Sequence, residues 1–193
     1  MFFWDNVGLG FIDDGDGMEI KAKCIFDYKG VKALTYVTMY KRNNPQTAFH
    51  FLNTLAAFMI LAIIWGMQFG VDSKSIYLLV LYVIIFLFNC FLYFVFPRMQ
   101  YRALDKMKGI ENEYTFCNEG IKVTSKHELY NGDAELKYSM IPKVMETSAY
   151  LFIYQSKNQV FIVDKSTITG GSVEDIRQKL IPHLKKKYII CKY

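Results

Sequence analysis

The chain has 193 residues, enough for one or two compact units. Its 52% hydrophobic and 17% aromatic content exceeds that of an ordinary soluble domain. The net charge of +5 comes from residues 98–193, which carry 16 Lys/Arg against 11 Asp/Glu, and so modest an excess argues weakly for nucleic acid and suits a face lying against an anionic membrane leaflet.

Residues 1–17, MFFWDNVGLGFIDDGDG, are acidic and glycine-rich and stand just ahead of a second methionine. They read either as a mobile tail or as a mis-assigned start, with translation beginning at Met18. Between Ile20 and Phe26, apolar residues alternate with Lys21 and Lys23, which predicts a half-buried strand. Asp27 can cap a following amphipathic helix over Tyr28–Arg42, and Asn43-Asn44-Pro45 breaks it. Residues 18–47 are thus expected to form a strand and a helix.

Two long uncharged runs follow, Phe51–Gly70 and Ser75–Pro97. Each has the roughly 20 residues needed to cross a bilayer core. In lipid the backbone must satisfy its own hydrogen bonds, so both runs are expected to be helices, over about 49–70 and 75–97 within a transmembrane hairpin of residues 48–97. The connection, Val71-Asp72-Ser73-Lys74, has room only for a turn, so both chain ends lie on one side. Lys29, Lys32, Lys41 and Arg42 precede the first run; Arg98, Arg102, Lys106 and Lys108 follow the second. The positive-inside rule then sets both termini in the cytoplasm. The first apolar run begins some fifty residues in and lacks the small-residue cleavage pattern of a signal peptide. Ala62, Gly66 and Gly70 form a small-residue stripe, which would let a helix approach closely, either the second helix of the hairpin or a second copy in a homo-oligomer. Asn53, Gln68 and Asn89 are polar but not ionisable, which argues against an ion or proton pathway.

A juxtamembrane helix is expected over residues 98–111 and a cytoplasmic domain over 112–193. Tyr114–Cys117 and Ile121–Ser125 flank a turn at Asn118-Glu119-Gly120. Asn131-Gly132 predicts a second turn. Strands over Ala134–Tyr138, Lys143–Thr147, Tyr150–Tyr154 and Gln159–Asp164 come next. Gly170-Gly171 ends them, and Ser172 with Asp175 predicts the capped start of a helix running to about Lys187, with Ile176, Leu180 and Leu184 on one face and Pro182 inside it. Short antiparallel strands closed by one C-terminal amphipathic helix have the order of a pleckstrin-homology-like barrel. The expected fold class is an α+β membrane protein, a two-helix transmembrane hairpin plus such a barrel.

Residues 18–190 resemble the YcxB-like membrane proteins of Gram-positive bacteria. The likeness rests on the strand and helix ahead of a two-span hairpin, on YTFCNEGIKV, and on YSMIPKVMETSAYLFIYQSKNQVFIVD from Tyr138 to Asp164. The family usually has Trp where Tyr138 stands, followed by an Ile-x-Lys-Val-x-Glu pattern that Ile141, Lys143, Val144 and Glu146 keep. Val163-Asp164-Lys165 departs from the family's turn after the last strand. The resemblance implies a pleckstrin-homology-like fold and brings no activity with it.

Chemistry-bearing patterns are sparse. Cys24, Cys90, Cys117 and Cys191 have no ligand or redox spacing, and His50, His127 and His183 have no metal spacing. Neither a phosphate loop nor a nucleophile elbow is present, so no metal, cofactor or catalytic residue is expected. Lys185-Lys186-Lys187 could meet anionic lipid together with Arg98, Arg102, Lys106 and Lys108. The function expected is a non-catalytic interaction module of unknown ligand at the inner membrane face, in contact with the bilayer and with a protein partner. An immunity protein against a secreted toxin or bacteriocin, and an unrecognised enzyme, are the alternatives.

Overall fold

The structure is a computed structural model that describes residues 19–40, 43–68, 70, 73–127, 130–157 and 159–191. The acidic N-terminal segment and the proposed start at Met18 lie outside the described residues, as does position 71–72 of the inter-helix connection. Among the described residues two compact units are present, one holding residues 19–30 together with Met107–Ile190, the other holding Val31–Lys106 and Cys191.

Among the described residues, the first unit contains two four-stranded sheets and the helix α5 (Val173–Leu184). In the first sheet β1 (Ile20–Ile25), β2 (Glu111–Phe116), β3 (Gly120–His127) and β4 (Tyr130–Lys137) pair antiparallel in that order. The second has the order β7 (Val160–Asp164), β6 (Tyr150–Tyr154), β5 (Lys143–Glu146) and β8 (Tyr188–Ile190), with β8 parallel to β5. Reciprocal backbone hydrogen bonds between Lys21 and Thr169 (2.9 and 2.8 Å) tie the edge strand β1 to the segment after β7. Neither sheet closes on itself.

Alternation decides what each strand buries. Ile20, Ala22 and Cys24 turn inward while Lys21, Lys23 and Ile25 stay exposed. The register carries that pattern across the sheet, since Ile20 faces Phe116 and Ala22 faces Tyr114, both buried. Ile121, Leu136, Tyr138, Phe152 and Ile153 complete the interior. Helix α5 (Val173–Leu184) covers it with Ile176, Leu180 and Leu184, each at most 2% exposed. Its start is the expected capping box, with Asp175 N donating to Ser172 Oγ (3.2 Å) and Ser172 N donating to Asp175 Oδ2 (2.8 Å).

The expected strand at Ile20 forms and belongs to the same sheet as β2, so the domain is assembled from chain on both sides of the helical pair. Two expectations in this unit are corrected. Asn131-Gly132 is no turn: both residues lie in β4, opposite Lys126 and Ser125, because β3 continues to His127 and pairing outweighs the dipeptide's turn preference. Finally, α5 stops at Leu184, two residues after Pro182, and Lys185 (φ 48°) turns the chain through Lys185–Lys187 into β8.

The second unit contains most of α1 (Tyr28–Tyr40), α2 (Pro45–Met67) and a 31-residue continuous helix, Ser73–Ala103. Its parts are α3 (Ser73–Cys90), a π-turn over Phe91–Val95 and α4 (Phe96–Ala103). Asp27 accepts a hydrogen bond from Gly30 N (2.8 Å) at the start of α1, as its sequence position predicts. Asn44 caps α2, its side chain accepting from Gln46 N (2.9 Å), with Pro45 at the first helical position. α2 and the 31-residue helix are long and apolar enough to cross a membrane, and the most apolar windows of the two are 6% and 0% buried.

Candidate functional site

The two long helices meet along a seam that is hard to see in uniformly apolar sequence. Shielded positions on α2 include Phe49, Asn53, Ala56, Ile60, Ile63 and Met67; on the partner helix they include Ser75, Leu79, Tyr82, Phe86, Asn89 and Tyr93. Both sets step alternately by three and four residues, the 3.5-residue period of a left-handed antiparallel coiled pair. Phe49 stacks on Tyr93 with ring centroids 4.2 Å apart, which fixes the register. Counting along both helices from that layer sets Asn53 opposite Asn89. Asn89 Nδ2 donates to Ile85 O in its own helix (3.1 Å), and Asn53 Oδ1 is buried with no hydrogen-bond partner among the described residues.

The small-residue stripe is not on this seam. Ala62, Gly66 and Gly70 are exposed, and a Cβ built at Gly66 would meet nothing within 4 Å. The second helix of the pair therefore does not occupy the stripe.

The base of the pair is aromatic. Tyr36 of α1 stacks on Tyr93 (5.1 Å), Phe49 also stacks on Tyr93 (4.2 Å), and Phe94 meets Phe49 edge-on (5.4 Å). Pro97 lacks the N–H that an α-helix would direct at the Tyr93 carbonyl. Tyr36 Oη donates to that carbonyl at 2.9 Å. The Phe96 N–H bonds to Phe91 O, the i to i−5 step that makes the local π-turn.

In the first unit the densest polar cluster surrounds Glu146, at the end of β5 and 1% exposed. Lys165 Nζ donates to its Oε1 (2.5 Å) and to Thr147 O (2.5 Å). Arg177 on α5 grips both carboxylate oxygens, with Nε on Oε2 at 2.8 Å and Nη2 on Oε1. Tyr188 on β8 donates its hydroxyl to Oε2 (2.5 Å). Burial alone would push the Glu146 carboxyl up, but the hydrogen bonds from Arg177, Lys165 and Tyr188 override it and hold the group at about 2. Glu174 takes the outer edge of Arg177 (2.7 Å). One carboxylate thus joins β5, the turn after β7, α5 and β8, with its lone pairs filled by donors. Lys165, in the turn after β7, is one of those donors.

The outer face of the first sheet is charged and self-paired. Lys23 meets Glu113 at 2.6 Å and Glu111 at 3.7 Å, and Lys126 meets Glu113 at 3.0 Å, all at half-exposed side chains where each pair is worth roughly 0–1 kcal/mol. Glu111, Lys126, His127 and Asp133 line an open groove of about 510 Å³ on this face.

The expected basic residues are distributed over both units. Arg98 and Arg102 are exposed, one turn apart on α4, and Lys185, Lys186 and Lys187 are exposed beyond α5. Lys108 is half-buried, and Lys106 lies in the short turn Asp105–Met107. His50 on α2, His127 on β3 and His183 beside Tyr138 (5.6 Å) are on separate elements. Among the described residues no group of three or more His, Cys, Asp or Glu side chains is arranged to hold a metal ion.

Sequence reasoning met Glu146 only as part of a family pattern. A carboxylate in the otherwise apolar run Val144–Met145 was the available signal, because a buried charge requires partners. Its partners could not be named, since they lie 19, 31 and 42 residues away.

Residues 118–180 match the family model described as YcxB-like protein. That stretch runs from the β2–β3 turn into α5 and includes neither β1 nor the apolar helices. No curated protein matches the chain, and no solved structure does.

Proposed function

We propose, taking the YcxB-like match over residues 118–180 as the premise, that this chain is a two-span protein of a bacterial cell membrane with both termini in the cytoplasm. Its α+β domain, pleckstrin-homology-like in class, serves as a non-catalytic module that engages a protein or a lipid headgroup at the inner surface. The observation that carries this reading is the outward face of the apolar pair. Phe51, Phe58, Leu61 and Trp65 on α2, and Tyr77, Ile84, Leu87 and Phe88 on α3, are all more than half exposed. In water such a surface would be an aggregation site; in lipid it is solvated. Arg98 and Arg102, one turn apart just past Pro97, suit an anionic leaflet. The Glu146 cluster supports a structural role for the strongest polar group, because its oxygens are taken by donors of the same domain.

The test is chemical cross-linking of the full chain in native membranes, capture through a C-terminal tag, and mass spectrometry. One dominant protein, or a selected anionic lipid, is the expected recovery. A chain found in the soluble fraction, with neither, would defeat the reading.

A further inference from the structure

The second long helix has a built-in weak point, and another helix holds it. A π-turn (Phe91–Val95) and Pro97 fall within seven residues of each other. Each is an identifiable cause of bending in a helix. At Pro97 the helical hydrogen bond to Tyr93 O cannot form, and the acceptor is met from outside the helix by Tyr36 Oη (2.9 Å). The same tyrosine ring stacks on the Tyr93 ring (5.1 Å), and Lys32 one turn earlier on α1 lies 5.6 Å from the Tyr36 ring centroid.

We propose that Tyr36 is a latch on a hinge at Phe91–Pro97, so that the position of α1 sets the bend of the second span. With the hydroxyl in place, the Tyr93 carbonyl is satisfied and the helix Ser73–Ala103 is held in one bend. If α1 withdraws, that carbonyl loses its donor, the π-turn can relax, and α4 swings relative to α3. The device goes beyond the interaction reading and holds whichever partner the domain engages.

The logic gives a double-substitution test in the full chain, reconstituted in lipid nanodiscs. Tyr36→Phe keeps the ring stack and removes only the donor. Pro97→Ala gives the helix its own N–H for Tyr93 O and makes the latch redundant. Spin labels at Ser73→Cys and Arg102→Cys report the bend of the helix, and hydrogen exchange reports the segment Phe91–Arg98. Tyr36→Phe is expected to broaden the label–label distance distribution and to speed exchange in that segment by about fivefold, the population ratio set by one net hydrogen bond. In the Pro97→Ala background the same substitution is expected to change neither. Equal effects of Tyr36→Phe in both backgrounds would overturn the latch, as would a narrow distribution and unchanged exchange after Tyr36→Phe alone.

Discussion

Ala22 lies opposite Tyr114 in the β1–β2 ladder, with the whole apolar helical pair between them in sequence. The domain is therefore completed by a strand from before the pair, and its first edge is tied to Thr169, in the segment after β7. A chain beginning at Met107 would lack that strand and expose the interior side of β2.

Ile20→Ala tests how much β1 contributes. Ile20 is 1% exposed and lies opposite Phe116. The truncation is expected to cost about 2–5 kcal/mol of domain stability, read by equilibrium denaturation in detergent micelles. Lys21→Ala, on the exposed face of the same strand, is expected to stay within about 0.5 kcal/mol.

Gly170 is where the backbone permits no side chain. It has φ 75°, and a Cβ there would stand 2.5 Å from the carbonyl oxygen of Glu19. Gly170→Ala is expected to destabilise the domain by at least as much as the strained conformation costs, about 1–3 kcal/mol, and to loosen β1 as seen by faster exchange of the Lys21 amide.

Glu146→Gln is expected to cost on the order of 3 kcal/mol, because it leaves Lys165 and Arg177 facing a neutral group inside the domain. The pH dependence has a definite sign. The folded carboxyl sits at about 2 against an ordinary 4.5, so its contribution is fully present above about pH 4.5 and is lost as pH falls toward 2. Thermal unfolding from pH 6 down to pH 2 is expected to show that decline in the native chain and a shallower one after Glu146→Gln.

Asn53→Leu addresses the polar layer of the helical pair. Asn53 Oδ1 is buried without a partner, so replacing the amide with an apolar side chain is expected to be neutral or stabilising, within about 1 kcal/mol. Resistance of the pair to dissociation in denaturing detergent, compared with the native chain, measures it.

What could be read from the sequence was local. The two apolar runs, the Asp27 cap, the Ser172–Asp175 box and the buried stripe Ile176–Leu180–Leu184 depend on residues within a few positions of one another. What escaped was non-local. β8 is three residues long and gains its identity only by pairing with β5. The seam Asn53–Ala56–Ile60–Ile63 is no more apolar than the outward face, so composition cannot mark it. The Tyr36–Tyr93 hydrogen bond matters because of Pro97, and it joins two segments 57 residues apart in the chain.

The central claim, a two-span hairpin with its domain in the cytoplasm, is tested most directly by reagent access in intact cells. Single substitutions Ser73→Cys, at the start of α3, and Lys186→Cys, beyond α5, are treated with a membrane-impermeant maleimide, with the unsubstituted chain as background. The expected result is labelling of the first in intact cells and of the second only after permeabilisation. Labelling of position 186 in intact cells, or recovery of the chain in the soluble fraction, would contradict it.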